Sequence, residues 1–243
     1  MKFYGVHIEV RERVGNYTVL HYRWRGLVKP GQFVMTRTGG YPVSLDPFLA
    51  RPFSFYDHDG EIASLLFEVR GRGTALLDFA PTIEVSAPLG RGFRIDAAAG
   101  RAALLGGGVG VAPLKVLSRR LRELGVPHDV FLGFADAKTA EVAREFPGSN
   151  VATMDGSMGT HGTVLDAVPE IEGYPAVYAC GPTAMLAAVK RAAGGGSVCQ
   201  LAVEERMACG NGSCNGCVVP VHNGGYVRSC VEGPVFRAEV LAW

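Results

Sequence analysis

What this chain has least of is net charge. Its 24 Lys and Arg residues are balanced by 23 Asp and Glu, leaving a formal net charge of +1, and the basic residues are scattered. Such a balance gives neither a nucleic-acid footprint nor a polybasic anchor for a membrane surface. Long apolar runs are also missing, since none approaches the roughly 20 residues of a membrane-spanning helix. The first ten residues, Met1 to Val10, alternate in polarity and carry charge at Lys2, so they lack the apolar stretch of a secretory signal. Cysteine is sparse and uneven: four of the six (Cys209, Cys214, Cys217, Cys230) lie near the C-terminus, and Cys180 and Cys199 stand alone. These absences lead to the expectation of a cytoplasmic enzyme in which thiols stay reduced and cysteines act as ligands or catalytic groups. Its partners are then small molecules or proteins, with no nucleic acid and no membrane span.

At 243 residues, with 48% apolar and 19% charged side chains, the chain is long enough for two compact units and a small appendage. From Lys2 to about Ile95 it reads as short alternating strands: Phe3 to Val10, Tyr17 to Arg23, Gln32 to Thr36, Pro52 to Tyr56, Glu61 to Val69 and Thr82 to Ala87. This spacing predicts a small antiparallel barrel or sandwich, of which the barrel is the expected form, with a short helix over Gly71 to Phe79 laid across one end. From Arg101 the period changes to alternating strands and helices. Strands are predicted at Ala102–Leu105, Asp129–Phe134, Asn150–Met154 and Ala176–Cys180, and helices at Pro113–Leu124, Thr139–Glu145, Thr163–Val168 and Thr183–Ala192. That alternation predicts a doubly wound parallel sheet with ligands at the strand C-termini. The run Gly194-Gly195-Gly196 reads as its end. The remaining segment, to Trp243, is too short for its own core, so something other than apolar burial is expected to order it. The fold class is thus a multidomain β plus α/β chain, divided at 1–97, 98–197 and 198–243.

The sharpest signal is Cys209, Cys214 and Cys217 in C-x₄-C-x₂-C spacing, with Cys230 as a distant fourth. This is the spacing of plant-type [2Fe–2S] sites, whose clusters take four thiolates. Gly210, Gly212 and Gly216 let the loop wrap closely and aim amides at the sulfurs. A four-cysteine zinc site normally shows two close pairs rather than a triplet and a single. Disulfides are disfavoured by tight spacing and by the compartment. Both remain as alternatives at this point.

Three further segments point to nucleotides. Arg51-Pro52-Phe53-Ser54 matches the R-x-[aromatic or aliphatic]-[Ser/Thr] signature and resembles the flavin-holding strand of ferredoxin-reductase-like barrels. An Arg fork suits a diphosphate, Phe53 an isoalloxazine face, and Ser54 its polar edge. Glu68 to Thr74 then ends a strand and opens a helix with Gly73-Thr74, a ready anion site. The FAD site is therefore expected at Arg51, Pro52, Phe53, Ser54, Leu66, Phe67, Glu68, Gly73 and Thr74. Leu105 to Leu114 carries a glycine turn between a strand and a helix, with Pro113 suited to the first helical turn. Its spacing departs from G-x-G-x-x-G and resembles the GGG-x-G-x-[AP]-P variant of the same family. Gly107, Gly108 and Gly110 are thus expected to hold NAD, together with the turn Cys180-Gly181-Pro182, which by the same resemblance lies near the nicotinamide. No arginine stands at Gly133-Phe134-Ala135-Asp136 to clasp a 2′-phosphate, and Asp136 would repel one, so NADH is the expected cofactor.

The order of these motifs is similar to that of the electron-transfer subunit of class 1B dihydroorotate dehydrogenases over nearly the full chain. Leu201 to Gly210, Cys230-Val231-Glu232-Gly233-Pro234 and Asp155 to Gly162 carry that resemblance most specifically. Asn211, Ser213 and Phe53 depart from the pattern. The resemblance implies FAD, a [2Fe–2S] cluster and NAD as cofactors. It also implies a catalytic partner subunit carrying FMN that oxidises dihydroorotate to orotate in pyrimidine biosynthesis, and a heterotetramer of two subunits of each kind. Two other readings stay open: a flavin and iron–sulfur subunit of another redox complex, of hydrogenase or transhydrogenase type, and a zinc-stabilised nucleotide-binding regulator without catalysis. No general acid or base is expected, and Asp57, His58 and His161 read as surface or turn residues.

Overall fold

The computed structural model describes residues 1–39, 46–95 and 100–243; the expected boundary at 97–98 lies outside them. Six strands, β1 (Phe3–Val14), β2 (Tyr17–Arg23), β3 (Phe33–Thr38), β4 (Arg51–His58), β5 (Ile62–Glu68) and β6 (Thr82–Ser86), close into a barrel in the order β1-β2-β5-β4-β3-β6. Closure depends on β1. Its first half (Phe3–His7) pairs with β6 and its second half with β2, across a register shift between Ile8 and Val10. A bulge of this kind bends the strand, so one ribbon serves both edges. Leu20, Tyr22, Phe55, Leu65, Phe67, Ile83 and Val85 fill the interior. Helix α1 (Arg72–Phe79) follows β5. Its Asp78 is buried among barrel residues, yet satisfied by the Thr18 hydroxyl at 2.6 Å and the Arg13 guanidinium.

The second layer contains β7 (Ala102–Gly107), α2 (Ala112–Glu123), β8 (His128–Phe134), α3 (Ala137–Ala140), β9 (Asn150–Thr153), β10 (Thr160–His161), β11 (Ala176–Cys180), α4 (Thr183–Ala193) and β12 (Val198–Ala202). β13 (Val218–Pro220) and β14 (Tyr226–Arg228) form a hairpin, and β15 (Val235–Arg237) returns to the sheet, whose order is β10-β9-β8-β7-β11-β12-β15. β7 is buried along its whole length, as a central parallel strand covered on both faces must be. Leu114, Leu117 and Leu121 of α2 pack on one side, and Leu186 and Val189 of α4 belong to the core on the other.

Three expectations are corrected. Thr163–Val168 is a single 3₁₀ turn over Val164–Ala167. The helix expected at Thr139–Glu145 starts earlier, because Asp136 caps α3 by accepting from the Thr139 amide at 2.8 Å, and it continues only as a 3₁₀ turn. The sheet does not end at the glycine run. β12 pairs in parallel with β11 and antiparallel with β15, and Leu201, Val203, Val219, Phe236 and Leu241 are buried in the core on the α4 side of the sheet. Apolar burial therefore orders much of the C-terminal segment, which borrows a neighbour's core instead of building its own.

Candidate functional site

Where barrel, sheet and C-terminal segment meet, one cleft is lined by Pro52, Phe53 and Ser54 of β4, Leu66 of β5, Gly110 and Pro113 of the glycine turn and α2, Cys180 at the end of β11, and Glu204, Glu205 and Met207 beyond β12. It continues along Arg51, Arg70, Gly107, Gly108 and Pro182. Motifs more than 100 residues apart in sequence thus share one concave surface. Phe67, Glu68, Gly73, Thr74 and Gly181 do not line it. Phe67 lies in the barrel core and meets Phe53 at 5.1 Å between ring centroids, while Glu68 accepts from Arg70 at 2.6 Å.

Gly73 matters through Arg51. A Cβ at position 73 would stand 1.9 Å from Arg51 Nε and 2.0 Å from its Cζ, so the guanidinium rests in the hollow the glycine leaves on the first turn of α1. That turn holds no acidic residue. A cation lying across amides at a helix N-terminus is a fit to a diphosphate. Gly73→Ala should leave the fold intact, because the obstructing group is the flexible end of a side chain. It is expected to displace Arg51 and weaken FAD retention about 10-fold, measured by fluorescence titration of the stripped protein with FAD.

The glycine turn and the turn Cys180-Gly181-Pro182 touch backbone to backbone. A Cβ on Gly110 would lie 2.5 Å from the Cys180 carbonyl oxygen. Cys180 is buried, and desolvation, reinforced by the nearby Glu204 carboxylate, pushes its thiol pKa up. It therefore stands as a neutral wall of the cleft rather than a nucleophile.

The four clustered cysteines fall into two pairs, the Cys214 amide donating to the Cys209 sulfur and the Cys230 amide to the Cys217 sulfur. Among the described residues no three His, Cys, Asp or Glu side chains converge on one ion position. Two pairs suit a binuclear cluster, in which each iron takes two thiolates, better than one tetrahedral ion. Every sulfur accepts an amide: Cys209 from Cys214 at 3.4 Å, Cys214 from Gly216 at 3.4 Å, Cys217 from Cys230 at 3.4 Å, and Cys230 from Gly212. Burial pushes Cys209 up, but amides of Asn211 and Cys214, with the Cys214 thiol and Ser213, outweigh it and bring the thiol to about 6. Burial, with Cys217 beside it, pushes Cys230 up to about 12. Gly210, at φ 66°, permits the first turn of this loop, and its missing side chain admits Met35 of β3.

The loop and the cleft are neighbours. Phe33 and Met207 line the cleft and also pack in the cluster of buried side chains that contains Cys217 and Cys230. Glu204 and Glu205 were missed as cleft residues by sequence reasoning. They follow directly after a parallel strand, the position where open α/β sheets hold ligands, but that strand had not been recognised.

A barrel bearing an arginine fork, a glycine-turn parallel sheet and a paired cysteine loop define a flavin- and nicotinamide-type oxidoreductase of the ferredoxin-reductase kind. Comparison with known proteins agrees. Residues 204–242 match the iron-sulfur cluster binding domain of dihydroorotate dehydrogenase B. The electron transfer subunit of dihydroorotate dehydrogenase B (NAD(+)) from Listeria monocytogenes serovar 1/2a is 40% identical, covering 87% of this chain and 87% of the relative. That of Bacillus caldolyticus is 38% identical, covering 94% and 93%. Among solved structures, the NADH-dependent reduced ferredoxin-NADP oxidoreductase, described for flavin-based electron bifurcation, superposes with a TM-score of 0.84 at 26% identity over 98% of this chain and 90% of that chain. Phthalate dioxygenase reductase shares the fold, with a TM-score of 0.63 at 15% identity over 94% of each chain. The chain belongs to the family of electron transfer subunits of dihydroorotate dehydrogenase B (NAD(+)).

Proposed function

We propose that this chain exchanges electrons between NAD and a catalytic partner subunit that holds FMN and interconverts dihydroorotate and orotate, using FAD in the cleft and a [2Fe–2S] cluster on Cys209, Cys214, Cys217 and Cys230. The observation that carries this reading is the shared cleft, with the flavin segment, the glycine turn and Cys180 on its walls and with Phe33 and Met207 belonging both to it and to the cluster around the buried cysteine pair. FAD, when bound, supplies the exchange between the two-electron chemistry of nicotinamide and the one-electron chemistry of the cluster.

The protein's part is position and electrostatics. Arg51 holds the diphosphate, Gly73 gives its guanidinium room, and the Thr74 hydroxyl caps the first turn of α1 by accepting from the Gly71 amide. Pro52, Phe53, Ser54 and Leu66 form the flavin wall, Phe67 supports Phe53 from behind, and Glu68 keeps Arg70 at the cleft. Gly107, Gly108, Gly110 and Pro182 admit the dinucleotide, Gly181 lets its turn approach Gly107, and Cys180 keeps water from the nicotinamide. The chain divides by role into an FAD unit over 1–97, an NAD unit over 98–197 and a cluster unit over 198–243. It works in the cytoplasm as part of a two-plus-two heterotetramer. No described helix is long and apolar enough to cross a membrane.

Anaerobic addition of NADH tests the reading. Bleaching of flavin absorbance together with a rhombic electron paramagnetic resonance signal is expected, and a colourless, zinc-loaded protein inert toward NADH would refute it. The likeness to the bifurcating oxidoreductase favours one second reading, a redox subunit of another complex. Copurification separates the two, since a partner with FMN that turns over dihydroorotate supports the first. The carboxylate of Asp136 should also set cofactor choice. Asp136→Asn keeps an oxygen for the Thr139 amide while removing the charge, and is expected to raise kcat/KM for NADPH roughly 10-fold relative to NADH, read from steady-state rates with an artificial acceptor.

A further inference from the structure

The barrel and the sheet carry opposite walls of the cleft, and a single ion pair joins the two elements that present those walls. β4 supplies Pro52, Phe53 and Ser54, and three residues further on it supplies Asp57, about 10 Å along an extended strand. α2 starts at the glycine turn and supplies Pro113, then Arg119 about 9 Å along the helix. Arg119 Nε donates to Asp57 Oδ1 at 2.6 Å and its terminal nitrogen to Oδ2 at 2.5 Å. The Asp57 side chain is only 16% exposed. Its own strand aims it there. The register of β4 against β5 shifts between Phe55 and Asp57, and a bulge at that point turns successive side chains out of the barrel alternation. Asp57 is therefore a half-buried strand residue rather than a turn residue.

The contact is doubled one helical turn earlier. Lys115 Nζ lies 4.5 Å from the centre of the Tyr56 ring and donates to Glu145 at 2.6 Å. Lys115 and Arg119, four apart on one helix face, thus grip two consecutive residues of β4. Of the two contacts only the Asp57–Arg119 fork fixes angle as well as distance. Burial pushes the Asp57 pKa up, but the hydrogen bonds and charge of Arg119 outweigh it and hold the carboxyl below the usual range.

We propose that Asp57 and Arg119 are positioning residues for electron exchange between NADH and the flavin: their forked pair sets the spacing and tilt between the β4 wall and the glycine-turn wall of the cleft. The inference rests on the electron-transfer reading above. Neither residue lines the cleft, so both act through Ser54 and Gly110, which do.

The test uses the full chain with its cofactors. Arg119→Lys keeps the charge and loses the fork, Asp57→Asn keeps the shape and loses the charge, and the exchange Asp57→Arg with Arg119→Asp restores the pair in reverse. Four readouts are followed: FAD and cluster content, the stopped-flow rate of flavin bleaching at saturating NADH, the long-wavelength charge-transfer absorbance of the NADH–flavin contact, and hydrogen exchange of the α2 amides. Both single variants are expected to keep cofactor content and α2 protection while bleaching roughly 10-fold more slowly, with a weaker charge-transfer band and a smaller change in KM. The reversed pair is expected to recover most of the rate. Wild-type rates and bands in both single variants would overturn the inference. So would slowing that follows loss of α2 protection or of FAD and is not rescued by the reversal, since that marks a pair needed only for stability. Failure of the electron-transfer reading itself would show in the wild type, as absence of bleaching by NADH, whereas failure of this inference shows only in the variants.

Discussion

Cys214→Ser is expected to abolish the electron paramagnetic resonance signal of the NADH-reduced protein and to bring electron delivery to the catalytic partner down to background, while NADH still bleaches the flavin. Cys214 is the best placed of the four proposed ligands for this test because it is exposed, whereas Cys217 and Cys230 are 2% and 3% exposed and pack against Phe33 and Met35. Substitution at the buried pair would mix loss of a ligand with loss of packing. At Cys214 the change removes the acceptor for the Gly216 amide and the thiol that helps hold the Cys209 pKa down, without disturbing a buried side chain. The residues proposed to hold flavin and nicotinamide, Arg51 to Ser54, Gly107 to Gly110 and Cys180 to Pro182, lie on other elements, so reduction of an artificial two-electron acceptor by NADH should continue. A variant that keeps both its iron content and its resonance signal would show that this thiol is not a ligand.

Gly110→Ala is the second substitution with a large expected effect, and it fails at a different step. The new Cβ would sit 2.5 Å from the Cys180 carbonyl oxygen and 2.7 Å from Gly181 Cα. Both are backbone atoms, unable to swing away as Arg51 can from Gly73. The two turns must separate, at a cost of about 1–3 kcal/mol as an overpacking strain. Separation moves the nicotinamide-side wall of the cleft, and a displacement of about 1 Å in a reacting pair can slow a step by roughly 100-fold. FAD content and the dithionite-reduced cluster signal should match the parent protein, and stopped-flow mixing with NADH should reveal the loss. Parent-like bleaching would mean that the contact between these turns does not govern nicotinamide approach.

Much of the molecule could be read from local pattern. β2 and β11 occupy the expected residues because each is a short, bounded strand paired along its whole length. The cysteine spacing and the glycine turn were legible for the same reason, since both are local chemistry. β1 was cut short at Val10 because its alternation breaks at the shift where it changes partner. β12 and β15 were overlooked because they pair across more than 30 residues, and no local period records such a return. That omission hid Glu204 and Glu205. The place of Arg51 over Gly73, and of Asp57 against Arg119, depends on which elements pack together and lies beyond any reading of adjacent residues.

The cysteine loop leaves the sheet after β12 and re-enters it at β15, and the Val203 amide donates to the Pro234 carbonyl at 2.9 Å across its base. Its two ends are therefore joined through the sheet, so part of the entropy of closing the loop is offset by backbone pairing at its base. The cysteines thus sit on a loop whose base belongs to the sheet, unlike small metal domains whose whole fold depends on the ion.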